Sequence, residues 1–218
     1  MKHIRLKICS MLLMIWACVS AEQVLARAGD LDSAFGSGGS VDVSNVGDHV
    51  LRGTFPLGLS AEGKILYAAA YPDSVGLNTV VGRLNANGSI DSSFGVNGST
   101  LVSASVYGGM PVSMVVDKQN NSFILLQPNA SLYSAVIKLQ PTGELDLAFG
   151  NNGMATLPVE AVTPYGMSLD SQGRVLITGS FTTTNLALFI ARLLPDGHPD
   201  PSFNGQGWAA SILAQPSV

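Results

Sequence analysis

Cysteine and charged residues are scarce in this sequence, and each scarcity removes classes of function. The only cysteines, Cys9 and Cys18, lie in an N-terminal segment that we predict to be removed. The mature chain would then hold no disulfide, no thiolate metal site and no cysteine nucleophile. Charged residues make up 12% of the 218 residues, against roughly 25% in average proteins. The net charge of −4 becomes more acidic once that segment is lost, so nucleic-acid binding through phosphates is not predicted.

Histidine is nearly as rare, and the usual catalytic spacings are missing. Outside the N-terminal segment only His49 and His198 occur, and neither has a His-x-x-His or Glu-x-x-His partner. No Gly-x-Ser-x-Gly elbow is present. We interpret both histidines as structural or solvated, and we name no catalytic residue and no metal ligand. A hydrophobic fraction of 46% excludes disorder and favours one folded domain over residues 27–218.

The N-terminus has the organisation of a secretory signal peptide. Three basic residues open the chain, Lys2, Arg5 and Lys7. The apolar run Ile8–Val19 follows and is too short to span a bilayer. We predict a signal peptide over residues 1–26, cut after Ala26 or, as an alternative, after Ala21. Two other interpretations are a buried N-terminal helix and a lipoprotein anchor at Cys18. The predicted location is outside the cell, in the periplasm or on the cell surface.

Four copies of one short motif are the main signal beyond this segment. Each copy has Gly, then Asp three residues on, then Phe three residues later and Gly after four more. The columns are Gly29, Asp32, Phe35 and Gly39; Gly88, Asp91, Phe94 and Gly98; Gly143, Asp146, Phe149 and Gly153; and Gly197, Asp200, Phe203 and Gly207. The phenylalanines are 59, 55 and 54 residues apart. We predict that these glycines and aspartates shape turns and that each Phe fills an apolar gap between repeats.

Short apolar runs between the motifs predict strands and no helix after residue 26. The second period is read as strands Ser99–Ser103, Ser113–Asp117, Ser122–Gln127 and Ser134–Leu139, and the third as Met154–Pro158, Tyr165–Asp170, Arg174–Ser180 and Leu188–Leu193. The predicted fold is all-β and β-propeller-like, with about three four-stranded antiparallel blades plus a final strand, Trp208–Ile212. The repeats are set at about 39–95, 99–150 and 154–204, with a partial repeat at 208–218.

A basic residue stands eleven positions before the Phe in three copies: Arg83, Lys138 and Arg192. Each closes an otherwise apolar run and is expected to reach the aspartate of the following loop. The segment from Arg83 to Gly98 resembles the delta-60 repeat, a DUF5122-type β-propeller repeat of secreted and surface-associated bacterial proteins. The resemblance covers about residues 29–212 and departs from the pattern at Pro199 and Asn204. It implies the fold and carries over no catalytic residues.

Three periods are fewer than the four to eight blades of closed propellers. Three explanations stay open: a piece of a longer repeat protein, two copies that complete a six-bladed ring, or an open stack. An open stack exposes apolar faces and sheet edges. We therefore predict that the chain self-associates or was cut from a larger propeller.

The predicted function is that of an exported, non-enzymatic scaffold that binds a protein or glycan at the cell envelope or outside the cell. The alternative is a secreted hydrolase or lyase with a polar channel site. No cofactor is predicted, although Asp30 with Asp32 and Asp196 with Asp200 leave calcium as an alternative. No nucleic-acid partner and no membrane span in the mature chain are predicted.

Overall fold

The computed structural model describes residues 28–46, 49–53, 56–103, 108–128, 133–160, 162–181 and 187–212. The predicted signal peptide, with its two cysteines, lies outside these residues. The described residues form strands and turns without a helix. Accordingly, this part of the chain has no helix that could cross a membrane.

The strands are short and follow one another through tight turns. In chain order they are β1 Asn45–Val46, β2 His49–Val50, β3 Leu57–Leu59, β4 Ile65–Pro72, β5 Leu77–Leu84, β6 Ser99–Val102, β7 Gly109–Val116, β8 Ser122–Pro128, β9 Ala135–Leu139, β10 Met154–Thr156, β11 Val162–Leu169, β12 Val175–Phe181, β13 Ala187–Leu193 and β14 Trp208–Ile212.

Three four-stranded antiparallel sheets contain all but β1 and β2, which form a separate hairpin. The first sheet has the order β3-β4-β5-β6, the second β7-β8-β9-β10 and the third β11-β12-β13-β14. The all-β, blade-like architecture predicted from the sequence is therefore confirmed. Among the described strands the first and third sheets each pack against the second, and the sheets do not close into a ring.

The grouping of strands into sheets differs from the sequence prediction by one strand. Ser99–Ser103 and Met154–Pro158 were expected to open the second and third blades, and Trp208–Ile212 to begin a fourth period. Instead β6 pairs with β5, β10 with β9 and β14 with β13, so each of these strands completes the preceding sheet.

The reason for the shift lies in the motif loop, which turns the chain back along the strand that it has just left. The amide N–H of the basic residue at the strand end donates to the carbonyl of the closing glycine. These hydrogen bonds join Arg83 to Gly98 at 3.0 Å, Lys138 to Gly153 at 3.2 Å and Arg192 to Gly207 at 2.8 Å. The loop therefore ends with the next strand already aligned on the edge of the old sheet.

Strand β8 shows why the central sheet is apolar on both faces. Successive side chains of a strand point to opposite faces. Phe123 and Leu125 join the core with the third sheet, whereas Ile124 and Leu126 join the core with the first. Four consecutive apolar residues are required because both faces of the second sheet are covered.

The first sheet is covered on its other face by the chain that precedes it. Tyr67, Ala69 and Val80 form a third core there, with Leu51 buried among them and Val41 packed against them. Val41 and Leu51 thus lie over the face that points away from the second sheet.

Candidate functional site

The four motif loops share one backbone conformation. In each, the N–H of the Phe donates to the carbonyl of the Asp three residues earlier, and the closing Gly donates to the carbonyl of the Phe. The closing glycines have positive φ: Gly39 94°, Gly98 94°, Gly153 96° and Gly207 85°. A Cβ on Gly98 would lie 2.3 Å from the Ile90 side chain. The last column therefore needs glycine for its backbone conformation and, at Gly98, also for the close approach of Ile90.

Three of the four motif aspartates form ion pairs with the basic side chain at the end of the preceding strand. Arg83 Nε lies 2.8 Å from Asp91 Oδ2, Lys138 Nζ 2.8 Å from Asp146 Oδ2 and Arg192 Nε 2.7 Å from Asp200 Oδ2. The Oδ1 atoms accept from the N–H two residues further on, at Ala34, Ser93, Ala148 and Ser202 for Asp32, Asp91, Asp146 and Asp200. The carboxylates therefore fix the loop to the strand end.

A second cation joins two of these pairs, which the sequence did not indicate. Lys64 Nζ lies 2.8 Å from Asp91 Oδ2, and Arg174 Nη1 lies 3.6 Å from Asp200 Oδ2. The hydrogen bond from Lys64, with that from Ser93, holds the pKa of Asp91 far below its ordinary value. The pKa of Asp200 is also lowered, chiefly by the hydroxyl of Ser202.

The phenylalanines differ between inner and outer copies. Phe94 is buried in the core between the first and second sheets, and Phe149 in the core between the second and third. Phe35 and Phe203 are only half-buried. The Arg83 guanidinium stacks 4.6 Å from the centre of the Phe94 ring, and Arg192 stacks 4.7 Å from that of Phe203. The motif Phe is therefore fully buried only where it lies between two sheets, as Phe94 and Phe149 do.

Each loop is joined to the next by one backbone hydrogen bond. The donor is the residue after the Phe, and the acceptor is the carbonyl just before the leading Gly of the next copy. The bonds are Gly36 to Asn87 at 2.8 Å, Gly95 to Thr142 at 2.7 Å and Gly150 to Asp196 at 2.7 Å. We call this series of contacts the loop interlock.

The loop interlock explains the leading glycine of the motif. A Cβ on Gly88, Gly143 or Gly197 would lie 2.8 Å from the amide nitrogen that makes this bond. The donor glycines were outside the four invariant columns because the fourth copy has Asn204 at this position, with a φ of 52°. The signal that could have identified them is Gly in three of four copies. Gly29, the leading glycine of the first copy, has a φ of 97°.

The other sequence candidates give no cluster. His198 is exposed, and its amide N–H donates to Asp196 Oδ1 at 3.0 Å. Asp200 is held by Arg192 and Ser202, so it faces donors of the chain itself. In the described part of the chain no three His, Cys, Asp or Glu side chains are grouped to hold a metal ion. Calcium and the predicted lack of a cofactor stay untested, as does any role of the His49 side chain.

A surface groove of about 730 Å³ lies where the second and third motif loops meet. We call it the loop groove. Its lining residues are Val80, Ser93, Gly95, Val96, Asn97, Ser99, Thr100, Leu101, Thr142, Gly143 and Glu144. Exposed apolar surface comes from Val96 and Leu101, which are 76% and 48% exposed. Hydroxyl groups of Ser93, Thr100 and Thr142 and the carboxylate of Glu144 stand beside them. The groove therefore combines apolar contact area with hydrogen-bonding groups.

Comparison with protein-family models supports the fold. Residues 62–94 and 171–203 match the model of the family "Domain of unknown function (DUF5122) beta-propeller". No curated protein matches the chain. Among solved structures, a Glu150Asp mutant of the apocarotenoid oxygenase of Synechocystis aligns at 9% identity and a TM-score of 0.43. That alignment covers 84% of this chain and 43% of the oxygenase chain. The family match confirms the resemblance seen in the motif residues: two segments of the chain are similar to DUF5122-type β-propeller repeats.

Proposed function

We propose that this chain is an exported, non-enzymatic propeller module that binds an extended segment of a partner protein in the loop groove. The observation that carries the proposal is the groove itself, whose exposed apolar residues Val96 and Leu101 lie outside the motif columns. Three motif aspartates are paired with Arg83, Lys138 and Arg192. The leading glycines Gly88, Gly143 and Gly197 pack against the loop interlock. A scaffold of this kind leaves the variable loop residues to contact a partner.

The chemistry of the groove favours a peptide over a sugar. Its wall includes Ser99–Leu101 of β6, the outer strand of the first sheet. An edge strand presents main-chain groups to which an extended peptide can add as a further strand. Val96 and Leu101 would receive apolar side chains of that peptide. The described lining residues have no aromatic ring on which a sugar would stack.

The export part of the proposal rests on residues 1–26, with their basic start, apolar run and small residues near Ala21 and Ala26. Fractionation of the producing cells, followed by mass spectrometry of the N-terminus, tests it. A chain that begins at residue 22 or 27 supports a secretory signal, and a lipid-modified Cys18 supports an anchored form. An intact N-terminus in the cytoplasmic fraction contradicts export.

The binding part is tested with one groove variant and one matched control. Val96→Arg places a charge in the groove at a position too exposed to affect folding, and Val75→Arg changes an apolar side chain of similar exposure, 66%, in the β4–β5 turn. Partners are captured from envelope and extracellular fractions with the wild type and both variants, and binding of the captured segment is then measured by calorimetry. We expect Val96→Arg to weaken binding by about tenfold or more, the loss of about 1.4 kcal/mol, and Val75→Arg to leave it unchanged.

A glycan and ester substrate panel is run beside the binding assay. Equal binding by the wild type and the groove variant contradicts a site in the loop groove. Turnover of any substrate in the panel contradicts the non-enzymatic proposal and supports the hydrolase or lyase alternative.

A further inference from the structure

The third sheet exposes the face that the other two sheets bury. Val81, Val136 and Ile190 each stand two residues before the basic residue that ends the strand. Val81 and Val136 are 0% exposed, because each lies under the next sheet, whereas Ile190 is 44% exposed. The equivalent surface is thus covered twice by a neighbouring β-sheet within the chain and left open once.

The cross-strand partners follow the same pattern. Ala68 pairs with Val81 and Leu125 with Val136, and both partners are fully buried. The partner of Ile190 is Thr178, which is exposed. We call Tyr165, Thr178, Leu188 and Ile190 the end face of the third sheet.

The end face is apolar and has a concave centre. Tyr165 is 59% and Leu188 41% exposed, and with Ile190 they border a groove of about 450 Å³. The hydroxyl of Tyr165 is 2.6 Å from Ser180 Oγ, so the ring presents mainly its apolar surface. Grouped apolar side chains of this kind on a soluble chain mark an interaction surface.

The charges beside the end face are compensated within the chain. Arg192 is paired with Asp200, and Arg174 lies 2.6 Å from Asp170 through Nε. Two copies of this surface can therefore meet without opposing unpaired charges of one sign.

The opposite end of the row of sheets is closed. The outer face of the first sheet, with Tyr67 and Val80, is covered by Leu51 and packed against Val41. The end face of a second copy could bind this outer face only by displacing Val41 and Leu51. The end face of a second copy is, in contrast, as exposed as that of the first copy.

We infer that the end face binds the end face of a second copy, which gives a dimer with two-fold symmetry. Each third sheet then receives the β-sheet cover that the first and second sheets receive within the chain. A two-fold interface uses the same patch on both copies and closes at two subunits, so it does not propagate into fibres. The end face is separate from the loop groove, and the dimer does not depend on the proposed binding function.

Sedimentation of the purified chain over a concentration series tests this inference. We expect a dimer for the wild type and for Val75→Lys, and a dissociation constant raised about tenfold or more by Ile190→Lys or Leu188→Lys. Both test residues are already more than 40% exposed, and circular dichroism verifies that the variants keep their strands. Val96→Arg is expected to leave the dimer intact, which separates this test from that of the loop groove.

Three results overturn the inference. They are a wild-type monomer at all concentrations, a ladder of species larger than a dimer, and a dimer whose dissociation constant neither end-face variant changes. A chain whose end face binds a different protein instead would give the first result, because the purified chain alone would stay a monomer.

Discussion

Replacing Phe149 with alanine measures how much the motif ring contributes where two sheets meet. The side chain is 1% exposed. Its ring meets Phe123 edge to face, with centroids 5.6 Å apart and an interplanar angle of 80°. Deleting a buried Phe side chain removes its transfer free energy and leaves a cavity, which together cost about 3–5 kcal/mol. At about 2–4 °C per kcal/mol for a chain of this size, the melting temperature should fall by about 6–20 °C.

The matched control is Phe203→Ala, which removes the same side chain from the same motif. Phe203 is only half-buried and contacts Arg192 at 4.7 Å from the ring centre. We expect it to cost less than about 2 kcal/mol, because less apolar area returns to water. Urea titration and thermal melts of both variants give the comparison. Equal losses, or a Phe149→Ala variant as stable as the wild type, would refute the assignment of Phe149 to the contact between sheets.

Two further predictions concern the loop interlock and the buried ion pair. Gly143→Ala should destabilise the chain by about 1–3 kcal/mol, because its φ is 91° and its Cβ would lie 2.8 Å from the preceding loop. Gly38→Ala, with a φ of 64° and open space around it, should cost less in the same urea titration, and equal costs would contradict the interlock. The pKa of Asp91 is lowered by Lys64 and Ser93, so its contribution is present above the unfolded-state pKa near 4 and is lost as pH falls below that value. Asp91→Asn should lower stability at neutral pH by up to about 3 kcal/mol and flatten the acid side of the stability curve, and an unchanged acid side would contradict this.

The strands were predictable because their apolar runs are bounded by turn residues, but their pairing was not. Ser99–Val102 follows one strand through the motif loop and precedes another, so it has a candidate partner on each side. The repeat period shows that the pattern recurs. It does not show whether this strand is hydrogen-bonded to the strand before it or to the strand after it. The choice is made by the backbone bond between Arg83 and Gly98, which depends on the backbone conformation of the loop.

The ion pairs of the motif were predictable to a similar degree. The basic residue precedes its aspartate by eight positions in three copies, as in Arg83 and Asp91, and this constant spacing indicated contact. Lys64 was missed because it lies 27 residues before Asp91, in the turn directly before β4. The matching position in the second sheet is Asn121, so the repeats gave no consistent charge to follow.

The end face connects the repeat architecture with the proposed dimer. In a row of stacked modules each unit buries its apolar face against the next, and the terminal units need a cap. The first sheet is capped by Val41 and Leu51 of its own chain. The third sheet has half-buried Phe203 and exposed Ile190 at the places where the inner repeats have buried residues. A second copy at this face covers it with the same kind of surface, a β-sheet face, that the inner repeats already bury. It also leaves the loop groove, where the second and third motif loops meet, available to a partner.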